Sequence, residues 1–105
     1  MTSYQVRVSA SAWDQVASAS DWYADNAGLD IAVAFEEQFE EAASSLSTTP
    51  LRYPEIDFAR ARRVYVPGFP YALWYEVSDS DKEVVVLAIS HARMSTETIA
   101  RLLDA

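Results

Sequence analysis

An α+β domain is predicted by three features of the 105-residue chain. Apolar residues at helical spacing fill the stretch between residues 11 and 46, alternating runs within residues 62–77 and an apolar β-branched run at 83–90 follow, and short turns separate these runs. The order reads β-α-α-β-β-β-α. It gives an N-terminal strand, an antiparallel helical hairpin packed on a mostly antiparallel four-stranded sheet, and a short C-terminal helix. Residues 1–105 are expected to form a single domain, since about 100–150 residues is the usual domain size.

The first strand is Tyr4 to Val8, where Tyr4, Val6 and Val8 alternate with Gln5 and Arg7. Ser9 and Ser11 are the candidate caps of the first helix, and Ser11 with Asp14 resembles a capping box. That helix runs to about Asn26, with Gly28 as its stop. Asp14, Ser18, Asp21 and Asp25 make one polar stripe. Trp13, Val16, Ala17, Ser20 and Tyr23 fall mostly on the opposite side, with Trp22 at the edge. Asp30 is the candidate cap of a second helix over residues 31–46, whose core stripe is Ala32, Phe35, Phe39, Ala42, Ala43 and Leu46. Few residues join the two helices, so they pack antiparallel.

After Pro50 and Pro54 the period becomes two. Arg62, Val64 and Val66 alternate with Arg63 and Tyr65, Pro67-Gly68 turns the chain, and Tyr71, Leu73, Tyr75 and Val77 alternate with Ala72, Trp74 and Glu76. Residues 78–82 connect a hairpin. Residues 83–90 are apolar on both faces and rich in β-branched side chains, which marks the central strand. Ser95 or Thr96 caps a last helix carrying Ile99, Leu102 and Leu103.

Composition narrows the function classes. Half the residues are hydrophobic, enough for a core, and the absence of Cys removes disulfide scaffolds, thiolate metal sites and Cys nucleophiles. The longest apolar run, Val84 to Ile89, is far short of the roughly 20 residues that span a membrane, and no signal peptide is visible. No membrane partner and a cytoplasmic location are expected. Glu36, Glu37, Glu40 and Glu41 lack the Glu-x-x-His pairs of a di-iron bundle, and Asp79, Asp81 and Glu83 lack the glycine and spacing of a calcium loop. No metal and no cofactor are expected.

The net charge is −8, which argues against a general nucleic-acid binder and against sequence-specific DNA binding by this chain alone. The charge is unevenly placed. Residues 1–57 hold 10 acids and 2 bases, whereas residues 58–105 hold 6 of each. Arg60, Arg62 and Arg63 form a basic cluster in the balanced half.

Order and residues together resemble the RelE/ParE superfamily of toxins from bacterial toxin–antitoxin modules. The resemblance covers nearly the whole chain. It rests on residues 4–12 (YQVRVSASA), Ala34-Phe35, Leu46 and Pro50. To these it adds Arg62-Arg63-Val64-Tyr65-Val66, residues 69–77 (FPYALWYEV), residues 84–89 and His91-Ala92-Arg93. Within the superfamily the chain looks more like the ParE branch of plasmid stabilisation toxins. That resemblance implies a toxin of a type II module that inhibits growth by binding DNA gyrase, without chemistry of its own, and is neutralised by a cognate antitoxin. The RelE-like alternative is ribosome-dependent cleavage of mRNA. A third possibility is a non-toxic binding module of the same fold.

Metal-free RNA cleavage requires a base for the 2′-hydroxyl, charge stabilisation of the phosphorane and an acid for the leaving oxygen. RelE-like enzymes place Arg and Lys on the central strands for this, whereas Ala72 and Ser90 stand near the matching positions here and the only Lys, Lys82, lies in a turn. The nuclease alternative would use Arg62, Arg63, His91 and Arg93. On the binding reading, Arg60, Arg62, Arg63, Tyr65, His91 and Arg93 form the target surface. Their bland counterparts are ion pairs with the helical hairpin for the arginines and a structural hydrogen bond for the lone histidine. Trp74, on the strand face opposite Tyr71, Leu73 and Tyr75, is the candidate for packing against the last helix or an antitoxin segment.

Overall fold

The computed structural model describes residues 3–56, 59 and 61–104. Its elements are β1 (Gln5–Val8), α1 (Ala10–Asn26), α2 (Leu29–Ser45), β2 (Glu55–Ile56), β3 (Ala61–Tyr65), β4 (Tyr71–Ser78), β5 (Glu83–His91) and α3 (Thr96–Asp104). The predicted α+β order is present. The sheet has five strands in the order β1-β5-β4-β3-β2, with β1 parallel to β5 and every other pair antiparallel. The extra strand is β2, two residues long, which pairs only because β3 offers it an edge. The middle strand is β4, not the 83–90 strand. That strand is covered on one side only through Val86, where the pairing with β1 ends.

The end of β1 creates a local problem that two side chains solve. Beyond Val86 the outer edge of β5 has no strand beside it, and unpaired backbone groups there would be costly. The Ser9 hydroxyl donates to the Leu87 carbonyl at 3.1 Å, and the Gln15 side-chain oxygen accepts from the Ile89 N–H at 2.8 Å. Ser9 is also the cap of α1, its Oγ accepting from Ala12 N–H at 3.1 Å. The Ser11–Asp14 box therefore does not form. Pairing with β5 holds the chain extended to Val8, Ser9 is still extended at φ −66° and ψ 157°, and Ser11 already lies inside the helix. Ser9→Ala should cost about 1–2 kcal/mol through the lost cap, read as a lower urea midpoint at unchanged slope.

The helices turn at Gly28, whose φ of +104° suits a residue without Cβ. The Ala27 and Gly28 N–H groups both donate to the Tyr23 carbonyl, closing α1. The cap of α2 is Gly28 itself and not Asp30. Asp30 sits in the first turn, where its carboxylate favours the positive end of the helix without capping it. The six predicted core positions of α2 and its end, Ala32 through Leu46, are all buried. α1 buries a narrower stripe of Ala12, Val16, Ala19 and Ser20. These small side chains let it lie close to the sheet, so Trp13 flanks the core at 46% exposure and Ala17 faces solvent. The Trp13 ring still meets Phe39 edge-on at 5.7 Å.

One face of β3, β4 and β5 completes this core with Val64, Val66, Leu73, Tyr75, Val84, Val86 and Ile89. Tyr75 is fully buried, and its hydroxyl donates to the Pro50 carbonyl at 2.7 Å, tying the loop after α2 to the sheet. Burial pushes its phenol up to about 12 from 10.0, with Arg62 pulling the other way. The folded state thus holds the phenol proton more tightly than the unfolded chain. That stabilisation is complete below pH 10 and disappears as pH rises from about 10 to about 12, a loss of about 2–3 kcal/mol. Burial shifts Tyr23 and Tyr71 in the same direction. Alkaline unfolding should therefore appear as phenolate absorbance rising together with loss of circular dichroism. Tyr75→Phe should flatten the pH dependence; an unchanged slope would remove Tyr75 as its source.

Candidate functional site

The predicted site residues sit on β3, on the end of β5 and in the turn that follows. Successive strand residues point to opposite faces, and the pleat divides the arginine cluster. Arg62 shares a face with buried Val64 and Val66, against the helical hairpin. Its guanidinium donates to the Tyr53 carbonyl, so it fastens the loop before β2. Arg63 points the other way. Its guanidinium carbon stands 5.1 Å from the Tyr65 ring centre and 5.5 Å from that of Trp74. Such contacts hold a cation in place at about 0.5–1 kcal/mol each when exposed. Tyr65 is 57% exposed, so the Arg63–Tyr65 pair presents charge and an aromatic face together. Arg60 lies outside the described residues.

His91 ends β5 opposite Tyr71, and the two rings meet edge-on at 5.1 Å. Tyr71 and Trp74 are three residues apart on β4, so they face opposite sides, and His91 lies on the side away from Arg63. His91 Nδ1 accepts from the Arg93 N–H at 3.0 Å, which puts the proton of the neutral ring on Nε2. Its carbonyl accepts from Met94 N–H, and Ala92 N–H donates to the Pro70 carbonyl. The histidine thereby shapes the turn that exposes Arg93. A cavity of about 330 Å³ lies between His91, Tyr71, Tyr23 and Trp22.

The geometry therefore joins some predicted residues and separates others. Arg63 and Tyr65 act as one unit. Arg62 and His91 share the opposite face, but they pair with Tyr75 and Tyr71, four residues or about 13 Å apart along β4. Ala72 and Ser90, the positions where RelE-like enzymes were expected to carry cations, pair with each other and are each 3% exposed.

Trp74 is only 1% exposed. Its indole N–H donates to the Ser90 hydroxyl at 2.8 Å, a buried polar pair that fixes both side chains. The free chain thus offers no open Trp74 surface for an antitoxin segment. The sequence alternation correctly put Trp74 opposite Tyr71 and Leu73, but alternation alone cannot tell whether the second face is covered. Among the described residues, no group of three or more His, Cys, Asp or Glu side chains is placed to hold a metal ion. No helix among them is long and apolar enough to cross a membrane.

Residues 6–96 match a family model described as the ParE toxin of the type II toxin–antitoxin system parDE. The fold is similar to a chain in the solved chromosomal ParDE toxin–antitoxin system from P. aeruginosa. The TM-score is 0.72 at 16% identity, over 87% of this chain and 98% of the other. It is also similar to a chain in the toxin–antitoxin complex RelBE2 from Mycobacterium tuberculosis, with a TM-score of 0.60 at 24% identity, over 85% of this chain and 98% of that one. No curated protein matches the chain.

Proposed function

Since the chain belongs to the ParE toxin family of type II toxin–antitoxin systems, we propose that it arrests bacterial growth in the cytoplasm by binding DNA gyrase and that a cognate antitoxin neutralises it. The observation that favours binding over chemistry is the dispersal of the cationic side chains. A metal-free nuclease needs its base, its acid and its charge stabiliser around one phosphodiester. Arg63 points from one sheet face, while Arg62 and His91 point from the other and are engaged with a loop carbonyl and a turn. A protein target makes no such demand. An arginine steadied by aromatic rings, beside a half-exposed tyrosine, has the composition of an interface hot spot. Arg63, Tyr65 and the exposed Arg93 are the target contacts in this reading.

Two measurements test it. Purified chain at micromolar concentration should inhibit supercoiling by purified gyrase. Pulse labelling of cells expressing it should show DNA synthesis stopping before protein synthesis. Translation stopping first, with cut mRNA, would replace gyrase by the ribosome and binding by mRNA cleavage through Arg62, Arg63, His91 and Arg93. Absence of any growth defect would leave a non-toxic binding module.

A further inference from the structure

Four aromatic side chains enclose a chamber of about 330 Å³ where α1 meets the ends of β4 and β5. They are Trp22, Tyr23, Tyr71 and His91, and no residue of α3 lines it. Successive rings meet at 82°, 67° and 84°, with centres 5.4, 6.4 and 5.1 Å apart. Rings turned so steeply against one another wall a space, whereas parallel rings would stack and fill it. Phe35 stands 5.3 Å from both Tyr23 and Tyr71, so the inner walls are in place before anything enters. Trp22 is 59% exposed and forms the outer wall. The surroundings carry one sign of charge. Asp21 and Asp25 lie exposed beside Trp22 on α1, Asp25 one turn further along. Residues 10–45 hold eight acids and no Lys or Arg. Among the described residues the ion pairs are Arg7–Glu83 and Lys82–Asp79, so none of these eight has a counter-charge. Arg93, two residues beyond His91, is exposed and does not line the chamber. The face of an aromatic ring is the negative pole of its quadrupole, so several rings around one space favour a cation there. The carboxylates outside favour it further, and an anion would be opposed on both counts.

We propose that this chamber is an aromatic cage for a small organic cation whose charge sits on a methylated nitrogen. The methyl groups pack on the rings of Trp22, Tyr23 and Tyr71, and Asp25 supplies the counter-charge at the mouth. Such an ion is held by ring faces without needing a hydrogen bond, which suits walls made of rings. The test uses the full chain with two probes, choline and its carbon isostere neohexyl alcohol, in which a quaternary carbon replaces the nitrogen. Shape and apolar surface are then equal, and only the charge differs. Calorimetry should show choline binding at about millimolar concentration and at least about ten-fold more tightly than the alcohol. In proton NMR the choline methyl signal should move upfield in the ring currents as it binds. Trp22→Leu keeps an apolar wall and removes the ring face, so it should bring the two probes to within about three-fold of each other. Asp25→Asn should weaken choline by about two-fold or more, whereas Glu41→Gln, an equal loss of charge on α2, should leave it unchanged. Equal binding of the two probes to the parent chain overturns the proposal, because an apolar pocket alone would produce it. Selectivity that survives Trp22→Leu in full overturns it too, as does no binding of choline up to about 50 mM. An equal loss in Asp25→Asn and Glu41→Gln would replace the cage by diffuse attraction to the hairpin. None of these readouts depends on gyrase, so the cage and the proposed function stand or fall separately.

Discussion

Phe35→Ala is expected to leave the protein at the margin of folding. Phe35 is fully buried on α2, and its ring lies 5.3 Å from each of Tyr23, Phe69 and Tyr71. Those three rings come from α1, from the turn after β3 and from β4, so one side chain joins both helices to the sheet. Truncating a buried Phe to Ala costs about 3–5 kcal/mol through lost transfer energy and the cavity left behind. A domain of this size holds about 5–15 kcal/mol in all. The melting temperature should fall by roughly 12–40 °C, at about 4–8 °C per kcal/mol. Urea unfolding should show a lower midpoint at unchanged slope, whereas Trp22→Ala, at a site 59% exposed, should stay within about 0.5 kcal/mol of the parent. A loss below about 1 kcal/mol for Phe35→Ala would mean that the cluster collapses around the cavity and does not join the layers. The effect reaches the end of β5, because Tyr71 meets His91 edge-on and His91 shapes the turn carrying Arg93.

Phe35 also shows why the fold was so legible. A large apolar residue repeated at helical spacing has one place to go, and all six members of that stripe are in the core. The alternation of β4 put Leu73 and Tyr75 on the core face, while Ala72, Trp74, Ala88 and Ser90 on the other face are buried as well, which alternation does not announce. Less legible were features settled by tertiary neighbours. Nothing in the sequence around Gln15 announces that its amide will satisfy Ile89, because the need arises only where β1 stops short beside β5. The two-residue strand β2 has no pattern of its own and follows from the free edge of β3. The arginine cluster was the instructive case. Closeness in sequence suggested one basic patch, yet the same alternation that identified β3 already sends Arg62 and Arg63 to opposite faces. Local charge density is a property of the surface, and a strand distributes its charges over two surfaces.

That division yields the sharpest functional contrast in the molecule. Arg63→Ala should abolish most target inhibition while hardly affecting the fold. The contacts it loses to Tyr65 and Trp74 are worth about 0.5–1 kcal/mol each, so the urea midpoint should fall only slightly. As an interface anchor it should cost about 2 kcal/mol or more, which is about 30-fold in the concentration that inhibits supercoiling. Colonies should accordingly survive induction. Arg62→Ala should do the opposite. It removes a charged donor from the Tyr53 carbonyl beside buried Tyr75, a loss of about 1.5–3 kcal/mol in stability. The molecules that remain folded should inhibit as well as the parent, because Arg62 shares the hairpin side of β3 with Val64 and points away from Arg63 and Tyr65. Measuring supercoiling inhibition per folded molecule separates the two effects. If Arg62→Ala abolished inhibition at full foldedness and Arg63→Ala did not, the target surface would have to lie on the hairpin side of β3. If both variants abolished cutting of mRNA in cells, the two faces would be cooperating in chemistry. That cooperation would require the sheet to open enough for side chains on opposite faces to reach one phosphodiester.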